Sequence, residues 1–434
     1  MHQKLNIFWF RRDLRLDDNT GLSEALEDHS PVLPIFIFDT NILDELPADD
    51  ARVTFIYETL QKMRQELRKK HRSSIAIYYG TPIEVFKKLI NNYDIQKVFT
   101  NHDYEPYARQ RDEEIDKLLS SHDIEFHTFK DQVIFERDEV VKKDGGPYIV
   151  YTPYMRSWKD QCNTGSLIIH DMNFDNLIQN SRLPNLKLNG IGFEESGLKV
   201  PDFKLTKRLL INYEEKRDIP AEEGTSRIGP HLRFGTISIR KLVKHASEVE
   251  NKTYLEELIW REFYMQLLYH HPKSVHENFN KKYDGIEWRN DEEEFERWKT
   301  GTTGFPLIDA GMRQLNEIGY MHNRVRMIVG SFLCKDLLID WRWGEAYFAE
   351  KLLDYEMASN VGNWQWVAGT GADAAPYFRI FNPQTQIKKY DPNSEYINQW
   401  VDEFGTDDYP EKMVDHKEAR KRALDVYKKA LEND

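Results

Sequence analysis

The chain has 434 residues, of which 40% are hydrophobic and 31% charged, and its formal net charge is -13 at pH 7. This length predicts two or more domains, and the apolar content excludes general disorder. No apolar run reaches the ~18 residues that a membrane helix needs, and no secretory signal opens the chain. Cys162 and Cys334 are too few for a disulfide scaffold, a four-cysteine zinc site or an iron–sulfur cluster. We therefore expect a soluble cytoplasmic protein without a metal centre. Because the chain is acidic overall, we expect any nucleic acid to bind at a local basic patch.

The first part of the chain alternates between short apolar runs and helical patterns. Because strands separated by helices pair in parallel, this alternation predicts a doubly wound, Rossmann-like α/β domain over residues 1–130. No GxGxxG follows the first strand and no Walker A motif is present, which disfavours a dinucleotide dehydrogenase and a P-loop NTPase. The predicted strands are Asn6–Phe10, Val32–Phe38, Ser74–Tyr79, Lys97–Thr100 and Glu125–Phe129, and the predicted helices are Phe55–Lys69, Ile83–Asn92 and Ala108–Ser121.

The regular pattern weakens over residues 131–202, which contain several glycines and polar turns and are predicted to form a long connector. Helical periodicity then dominates residues 203–434, so the second domain is predicted to be all-α. Capping chemistry suggests helix starts at Thr225, Ser226 and Asp309. The clearest predicted helices are Leu255–Tyr269, Pro306–Ile318, Arg324–Asp336 and Glu345–Leu353.

Two of these helices carry residues suited to contact a nucleobase. Glu257 and Trp260 are three apart and share a helix face, so a carboxylate could bond the edge of a base while the indole stacks on it. Asn323 and Met327 share a face in the same way, with Arg324 beside them to hold phosphate. Each pair taken alone fits an ordinary amphipathic helix or helix start as well.

Two further segments combine polar residues with glycine. Residues 358–383 hold two tryptophans among glycines and amides, a density that core packing does not explain, and glycine permits close approach to a ligand. Residues 222–232 place hydroxyls at a predicted helix start, where they could cradle phosphate or simply cap the helix. Residues 204–244 contain ten Lys+Arg against five Asp+Glu, a local basic balance in an acidic chain.

Two long motifs, one near the start of the chain and one at residues 376–383, occur in the order of one known family. The segment Phe8–Asn19 reads FWFRRDLRLDDN and the segment Pro376–Pro383 reads PYFRIFNP. With the clusters above, the chain resembles the cryptochrome/photolyase family over essentially its whole length, and within it the class I cyclobutane pyrimidine dimer photolyases. The resemblance implies an α/β antenna domain, a long connector and a helical FAD-binding catalytic domain.

The resemblance implies that FAD binds folded into a U in the helical domain. Asn360 matches the residue that faces flavin N5, where an amide oxygen can accept the N–H of the reduced flavin. Gly229 stands where the family often has Ser, and Tyr254 replaces a common Trp. The implied cofactor-binding residues are Tyr213, Thr225, Ser226, Arg227, Ile228, Gly229, Tyr254, Arg261, Asn323, Arg326, Asp354, Tyr355, Glu356 and Asn360.

The implied partner is UV-damaged DNA that contains cyclobutane pyrimidine dimers. In the implied mechanism, light drives an electron from reduced FAD to the dimer, and Glu257 stabilises the charge that forms there. Trp364, Trp341 and Trp288 match the chain of tryptophans that reduces the flavin in light, although buried tryptophans also serve as core residues. The implied lesion and DNA contacts are Arg217, Glu257, Trp260, Asn323, Arg324, Met327, Trp366 and Gln386.

The segment Tyr104–Arg109 bears on a second, antenna chromophore. It lacks the Asn–Glu pair of folate-binding members, which favours deazaflavin or FMN over folate, and an empty antenna site stays open. Asn323 and Met327 stand where (6-4) photolyases carry histidines. The expectation is a monomeric DNA-repair lyase without membrane association, and the alternative is a blue-light receptor that uses the same flavin pocket.

Overall fold

The computed structural model describes residues 4–432, which form two compact units. The first unit comprises residues 4–139 together with residues 162–202 and 228–248. The second comprises residues 140–161, 203–227 and 249 onward. Residues 131–202 are thus shared between the two units, and the domain boundaries predicted from the sequence remain a prediction.

The strands are β1 (Lys4–Phe10), β2 (Val32–Asp39), β3 (Ala76–Gly80), β4 (Asp94–Asn101) and β5 (Glu125–Phe129). The helices are α1 (Thr20–Glu27), α2 (Thr40–Leu43), α3 (Ala51–His71), α4 (Pro82–Asn92), α5 (Pro106–Ser120), α6 (Tyr151–Gln161), α7 (Lys207–Lys216), α8 (Gly229–Arg233), α9 (Ile239–Ser247), α10 (Thr253–His270), α11 (Glu292–Thr300), α12 (Pro306–Ile318), α13 (Asn323–Ser331), α14 (Trp341–Lys351), α15 (Met357–Ala368), α16 (Pro383–Tyr390), α17 (Glu395–Trp400) and α18 (His416–Glu432).

The first unit is built on a five-stranded parallel sheet with the order β3-β2-β1-β4-β5. The residues of β2 are all buried, as expected for a strand covered on both faces. Apolar cores lie on the two sides of the sheet, one around Phe8 and Leu60 and the other around Trp9 and Leu89. The predicted doubly wound α/β architecture is confirmed.

A buried ionic network also holds the first unit together. The Asp131 carboxylate accepts from Arg15 at 2.6 Å and from Arg240 at 2.9 Å, and Arg240 lies 3.1 Å from the Asp18 carboxylate. Both carboxylates are fully buried. Burial alone would raise the pKa of Asp131, but the two guanidinium groups lower it below the ordinary value.

The second unit is helical in its regular structure, as predicted, and its largest core lies around α12, α13 and α15. Within residues 4–432, no helix is long and apolar enough to cross a membrane. Helix α14 begins at Trp341, four residues before the predicted start, because Asp340 caps it by accepting from the Arg342 amide. Helix α13 ends at Ser331 and continues as a π-helical turn, Phe332–Asp336.

The capping predictions need correction. Thr225 and Ser226 lie in a loop, and the next helix, α8, begins at Gly229. Asp309 does not precede α12 but lies in its first turn, where it reaches back to accept from the Thr303 amide at 2.7 Å. Pro306 begins this helix, because a proline at the first helical position gives up no hydrogen bond.

Candidate active site

Helices α10, α13 and α15 of the second unit line two cavities that share Asn323, Met327, Ser359 and Asn363. We call them the inner cavity, of about 80 Å³, and the outer cavity, of about 280 Å³. The inner cavity is lined by Asn323, Arg326, Met327, Gly330, Phe348, Leu352, Asp354, Tyr355, Glu356, Ser359, Asn360, Asn363, Trp364 and Val367. The outer cavity is lined by Arg217, Glu257, Trp260, Arg261, Tyr264, Asn323, Met327, Ser359, Asn363 and Trp366.

An ion pair forms part of the inner wall. Arg326 lies 2.9 Å from Asp354 and also donates to the Met321 carbonyl at 2.8 Å. Burial acts to lower the pKa of Arg326, but Asp354 outweighs it and raises the pKa. The second carboxylate oxygen of Asp354, Oδ1, is buried without a hydrogen-bond partner among the described residues. A buried acceptor left unpaired beside a cavity fits a ligand that carries N–H or O–H donors.

Asn360 projects from α15 into the inner cavity and is held from behind by Glu345 of α14. Its amide nitrogen donates to the Glu345 carboxylate at 3.0 Å and to the Glu345 main-chain carbonyl at 3.1 Å. Burial raises the pKa of Glu345 above its ordinary value. The sequence prediction missed Glu345, since no spacing relates residues on two different helices.

The predicted phosphate-binding segment lies in a cluster of tyrosines. Ser226 bonds the Tyr254 hydroxyl at 2.9 Å, and Thr225 bonds the Tyr320 hydroxyl at 3.3 Å. Arg227 has a φ of +53°, a conformation that costs a non-glycine residue energy and is frequent at functional sites. Its guanidinium lies 5.3 Å from the centre of the Tyr320 ring. Tyr320 was not among the predicted site residues, although it lies only three residues before the predicted site residue Asn323.

Three other predicted cofactor residues also belong to the second unit. The Tyr213 ring meets Tyr254 edge-on with centroids 4.9 Å apart, and Arg261 lies 3.7 Å from the buried Glu356. Ile228 and Gly229 fall in the first unit, so their predicted contact with the cofactor remains a prediction.

The outer cavity holds a carboxylate paired with a guanidinium. Glu257 forms an ion pair with Arg217. Burial raises the pKa of Glu257, with Arg217 acting in the opposite direction. Arg217 bonds one carboxylate oxygen of Glu257, and the side chain lines the outer cavity.

The Trp260 indole is held flat at the outer cavity by a second aromatic ring. Tyr151 stacks on it with centroids 3.5 Å apart and planes within 8°, and its hydroxyl donates to the Glu256 carbonyl at 2.7 Å. The Tyr151 amide also donates to Asp373 at 3.0 Å. Tyr151 is therefore a site residue that the sequence prediction missed, because it lies about a hundred residues before Trp260 in the chain.

Two predicted DNA contacts line neither cavity. Arg324 pairs with Asp218 at 2.7 Å, and its guanidinium lies 4.5 Å from the centre of the Tyr390 ring. Its guanidinium Nη1 also lies 3.8 Å from the sulfur of Met327, which lines both cavities, and the predicted role of Arg324 at the lesion stays a prediction. Gln386 lies on α16, also outside both cavities.

The three tryptophans of the predicted electron relay share one apolar core. Trp364 and Trp341 are buried in it, and Trp288 packs against it partly exposed. Trp364 lines the inner cavity, and its ring neighbours are Phe348 at 4.9 Å and Trp298 at 6.2 Å. The electron relay itself stays a prediction. Trp298, which contacts the Trp364 ring, was not among the tryptophans predicted from the sequence.

The comparisons with known proteins agree with this geometry. A model of the FAD binding domain of DNA photolyase matches residues 254–407, and a DNA photolyase model matches residues 6–172. A deoxyribodipyrimidine photo-lyase of Halobacterium salinarum is 38% identical, over 98% of this chain and 99% of its own length. The chain belongs to the DNA photolyase family. Its helical unit therefore contains the FAD-binding domain of that family, as predicted.

The chain is also similar to solved photolyase structures over nearly its whole length. A bacterial class III photolyase from Agrobacterium tumefaciens is 33% identical with a TM-score of 0.89, and the match covers 100% of this chain and 98% of that one. An archaeal photolyase from Sulfolobus tokodaii, whose structure holds two FAD molecules, is 34% identical with a TM-score of 0.81, over 98% of this chain and 100% of its own. The assignment of this chain to class I stays a prediction.

Proposed function

We propose that this protein is a light-dependent deoxyribodipyrimidine photo-lyase that uses reduced FAD to split cyclobutane pyrimidine dimers in DNA. The observation that carries the proposal is the outer cavity. One space of about 280 Å³ is lined by two indoles, a carboxylate, two amides and a thioether among other groups, and it shares four residues with the inner cavity. Indoles stack on bases, and the polar groups bond base edges.

The inner cavity would hold only part of FAD, and its lining suits the flavin ring by its chemistry. Asp354 offers an unpaired acceptor, Asn360 an amide, and Phe348, Leu352 and Val367 an apolar wall. Thr225, Ser226 and Arg227, with Tyr213 and Tyr254, would hold the phosphates and ribose. Bound reduced FAD would supply an electron when excited by light. Trp364 at the cavity wall would pass electrons to oxidised FAD in light. Trp341 and Trp288 would be the earlier members of this relay.

The lesion would enter the outer cavity extrahelically. A dimer is already poorly stacked and paired, so its extrusion costs less than that of a normal pair, on the order of a few kcal/mol. Trp260 and Trp366 would stack on it, and Asn323 and Glu257 would bond its polar edges. Arg217, which pairs with Glu257, would place positive charge near the negative charge that develops on the dimer.

DNA outside the lesion would be held through its phosphates. Backbone contacts position a duplex without reading its sequence and make affinity fall as salt rises. Arg324 and Gln386, which lie outside both cavities, would act at this level. The protein would act as a cytoplasmic monomer, which sedimentation with and without DNA tests.

A second, light-harvesting chromophore would bind in the first unit. The Tyr104–Arg109 segment favours a deazaflavin or FMN over folate. The second FAD of the Sulfolobus protein supports a flavin in this role. Denaturing the purified protein and identifying the released chromophores by mass decides between these compounds and an empty site.

The function is tested with a thymine-dimer oligonucleotide and the photochemically reduced protein, in blue light and in darkness. We expect intact thymines to return only in light, with repair reduced when Glu257→Ala is substituted at unchanged FAD content. A protein that binds and photoreduces FAD but leaves the dimer intact in light would contradict the proposal and favour the blue-light receptor.

A further inference from the structure

The indole N–H of Trp341 has a defined acceptor. Trp341 begins α14 and is fully buried in the apolar core that also contains Trp364. Its Nε1 donates to the Asn278 side-chain oxygen, Oδ1, at 2.9 Å. An indole nitrogen is a donor only and has one proton to give. The fate of that proton therefore depends on the group that residue 278 presents to it.

The Asn278 amide is fixed with its oxygen toward the indole. Its nitrogen, Nδ2, donates to the Asp284 carboxylate at 2.8 Å. If the amide turned over, its nitrogen would face the Trp341 N–H, which is a donor, and its oxygen would face the carboxylate, which is an acceptor. Asp284 thus holds the amide from behind, and a neutral oxygen separates the indole from that carboxylate.

The acceptor of the indole proton is a very weak base. An amide oxygen accepts a hydrogen bond but does not titrate near neutral pH. Water is kept away as well, because Trp341 is 0% and Asn278 is 4% exposed. The neighbouring Asp340 carboxylate lies 2.9 Å from the Arg342 guanidinium, which is itself 4.8 Å from the centre of the Trp341 ring. The positive charge of Arg342 makes an oxidised indole more acidic, so a base in contact with Nε1 would take its proton readily.

We propose that Asn278 is a positioning residue of the electron relay, which holds the Trp341 N–H without taking its proton and so keeps the oxidised indole ready to receive the next electron. The inference rests on the proposed function, in which Trp341 lies between Trp364 and Trp288 in the relay. Trp364 would lose one electron to light-excited FAD, Trp341 would return one electron to Trp364, and Trp288 would return one to Trp341. Each step moves one electron and leaves the indole protons in place.

A base at position 278 would divert this sequence. The Nε1–H bond of oxidised Trp341 would break, the proton would pass to the base, and a neutral indole radical would remain. An electron from Trp288 could then restore the indole only together with the returning proton. A base in hydrogen-bond contact accelerates proton transfer about 10²–10⁴-fold, so a carboxylate at this position should hold the charge on Trp341.

The test exchanges the amide and the carboxylate. The double substitution Asn278→Asp/Asp284→Asn places a carboxylate against the indole N–H and an amide behind it, at unchanged net charge. Asn278→Asp alone would bring two carboxylates into contact, where they would share a proton. Asp284→Asn is the matched control, because it keeps an amide at position 278. Asn278→Ala removes the acceptor without supplying a base.

The first readout is the protonation state of the radical, measured by transient absorption in the Trp288→Phe protein, where the charge stops at Trp341. We expect a protonated indole radical whose decay is the same in deuterated water. Adding the exchange should convert it into the neutral radical, whose formation slows in deuterated water. A neutral radical in the Trp288→Phe protein itself would overturn the proposal, and this measurement does not depend on the folding of the exchanged protein.

The second readout is the photoreduction of bound FAD with an added thiol as electron donor, compared at equal FAD content. We expect the exchange to slow photoreduction at least about tenfold, while Asp284→Asn and Asn278→Ala stay within about twofold of the unsubstituted protein. An equal loss in Asn278→Ala and in the exchanged protein would overturn the proposal, because a lost hydrogen bond and not a gained base would then be the cause. Undiminished photoreduction in Trp341→Phe would overturn it too.

Repair by chemically reduced protein does not pass through the relay, which separates this inference from the proposed repair activity. A protein that repairs no dimer but forms a protonated Trp341 radical would refute the repair activity and leave the role of Asn278 intact. Normal repair, with photoreduction that survives the exchange, would do the reverse.

Discussion

The buried polar groups of the two units are arranged in different ways. In the first unit, Arg15 and Arg240 bond Asp131 and Asp18, so the buried charges satisfy one another. In the second unit, the inner cavity has an Asp354 oxygen that no other residue in the range 4–432 hydrogen-bonds. A closed network stabilises a fold, whereas acceptors left open at a cavity are available to a ligand. Unpaired buried atoms also occur in the first unit, such as Arg64 Nε and Ser73 Oγ, so neither buried charge nor an unpaired atom marks a functional site by itself. Asp354 differs because its unpaired acceptor belongs to a residue that lines a cavity.

The largest effect is expected from breaking the closed network. Asp131→Ala would leave two guanidinium groups without their shared carboxylate, which costs about 3–5 kcal/mol of unfolding free energy. Denaturant unfolding measures this loss. Lys241→Ala, which breaks the exposed pair with Asp17, is the control and should cost less than about 1 kcal/mol.

The loss of stability in Asp131→Ala should also depend on pH. The pKa of Asp131 is lowered in the folded state, so its contribution is present above the unfolded-state pKa of about 3.9 and is lost as pH falls through the folded-state pKa. The gap in stability between the unsubstituted protein and Asp131→Ala should therefore narrow in acid. A gap that widens below pH 4 would contradict the network as described.

An intermediate effect is expected from crowding the inner cavity. A Cβ at Gly344 would lie 2.1 Å from the Trp364 ring, so Gly344→Ala must displace that indole. Overpacking of this kind costs about 1–3 kcal/mol, and FAD content should fall because Trp364 lines the cavity. Gly285→Ala, whose Cβ would meet nothing closer than 3.7 Å, should retain full FAD content.

A smaller effect is expected from removing the aromatic ring that supports Trp260 at the outer cavity. Tyr151→Ala removes the ring that stacks on Trp260, and a stacked aromatic pair contributes about 0.5–1.5 kcal/mol. Affinity for dimer-containing DNA should fall about threefold to tenfold, while affinity for undamaged DNA and FAD content stay unchanged. Tyr151→Phe keeps the stack and should bind within about twofold of the unsubstituted protein. Equal losses for both DNAs would show that Tyr151 supports the fold and not the lesion site.

The sequence could predict the elements that depend on local pattern. The parallel sheet follows from apolar runs such as β2, and β5 was predicted to the residue. Glu257 and Trp260 lie on one cavity as their spacing suggests. Helix α14 was predicted four residues short because the capping role of Asp340 depends on one hydrogen bond and not on periodicity.

Contacts between distant segments could not be predicted in this way. Glu345, Tyr151 and Tyr320 reach the site from other elements, and no spacing within one helix reveals them. The resemblance implies a lesion contact for Arg324, but it does not reveal the pairing of Arg324 with Asp218, which depends on the fold of the loop that follows α7. Residue type and family motif therefore locate a site, and tertiary structure decides which side chains complete it.

The most direct test of the account is a single-flash experiment on the reduced protein saturated with thymine-dimer DNA, in the absence of air and of added electron donors. The account predicts that dimers are repaired in the flash while the flavin absorbance returns to its starting value, so that further flashes repair more. Flavin that is oxidised in proportion to the dimers lost, or dimers that survive every flash, would contradict it.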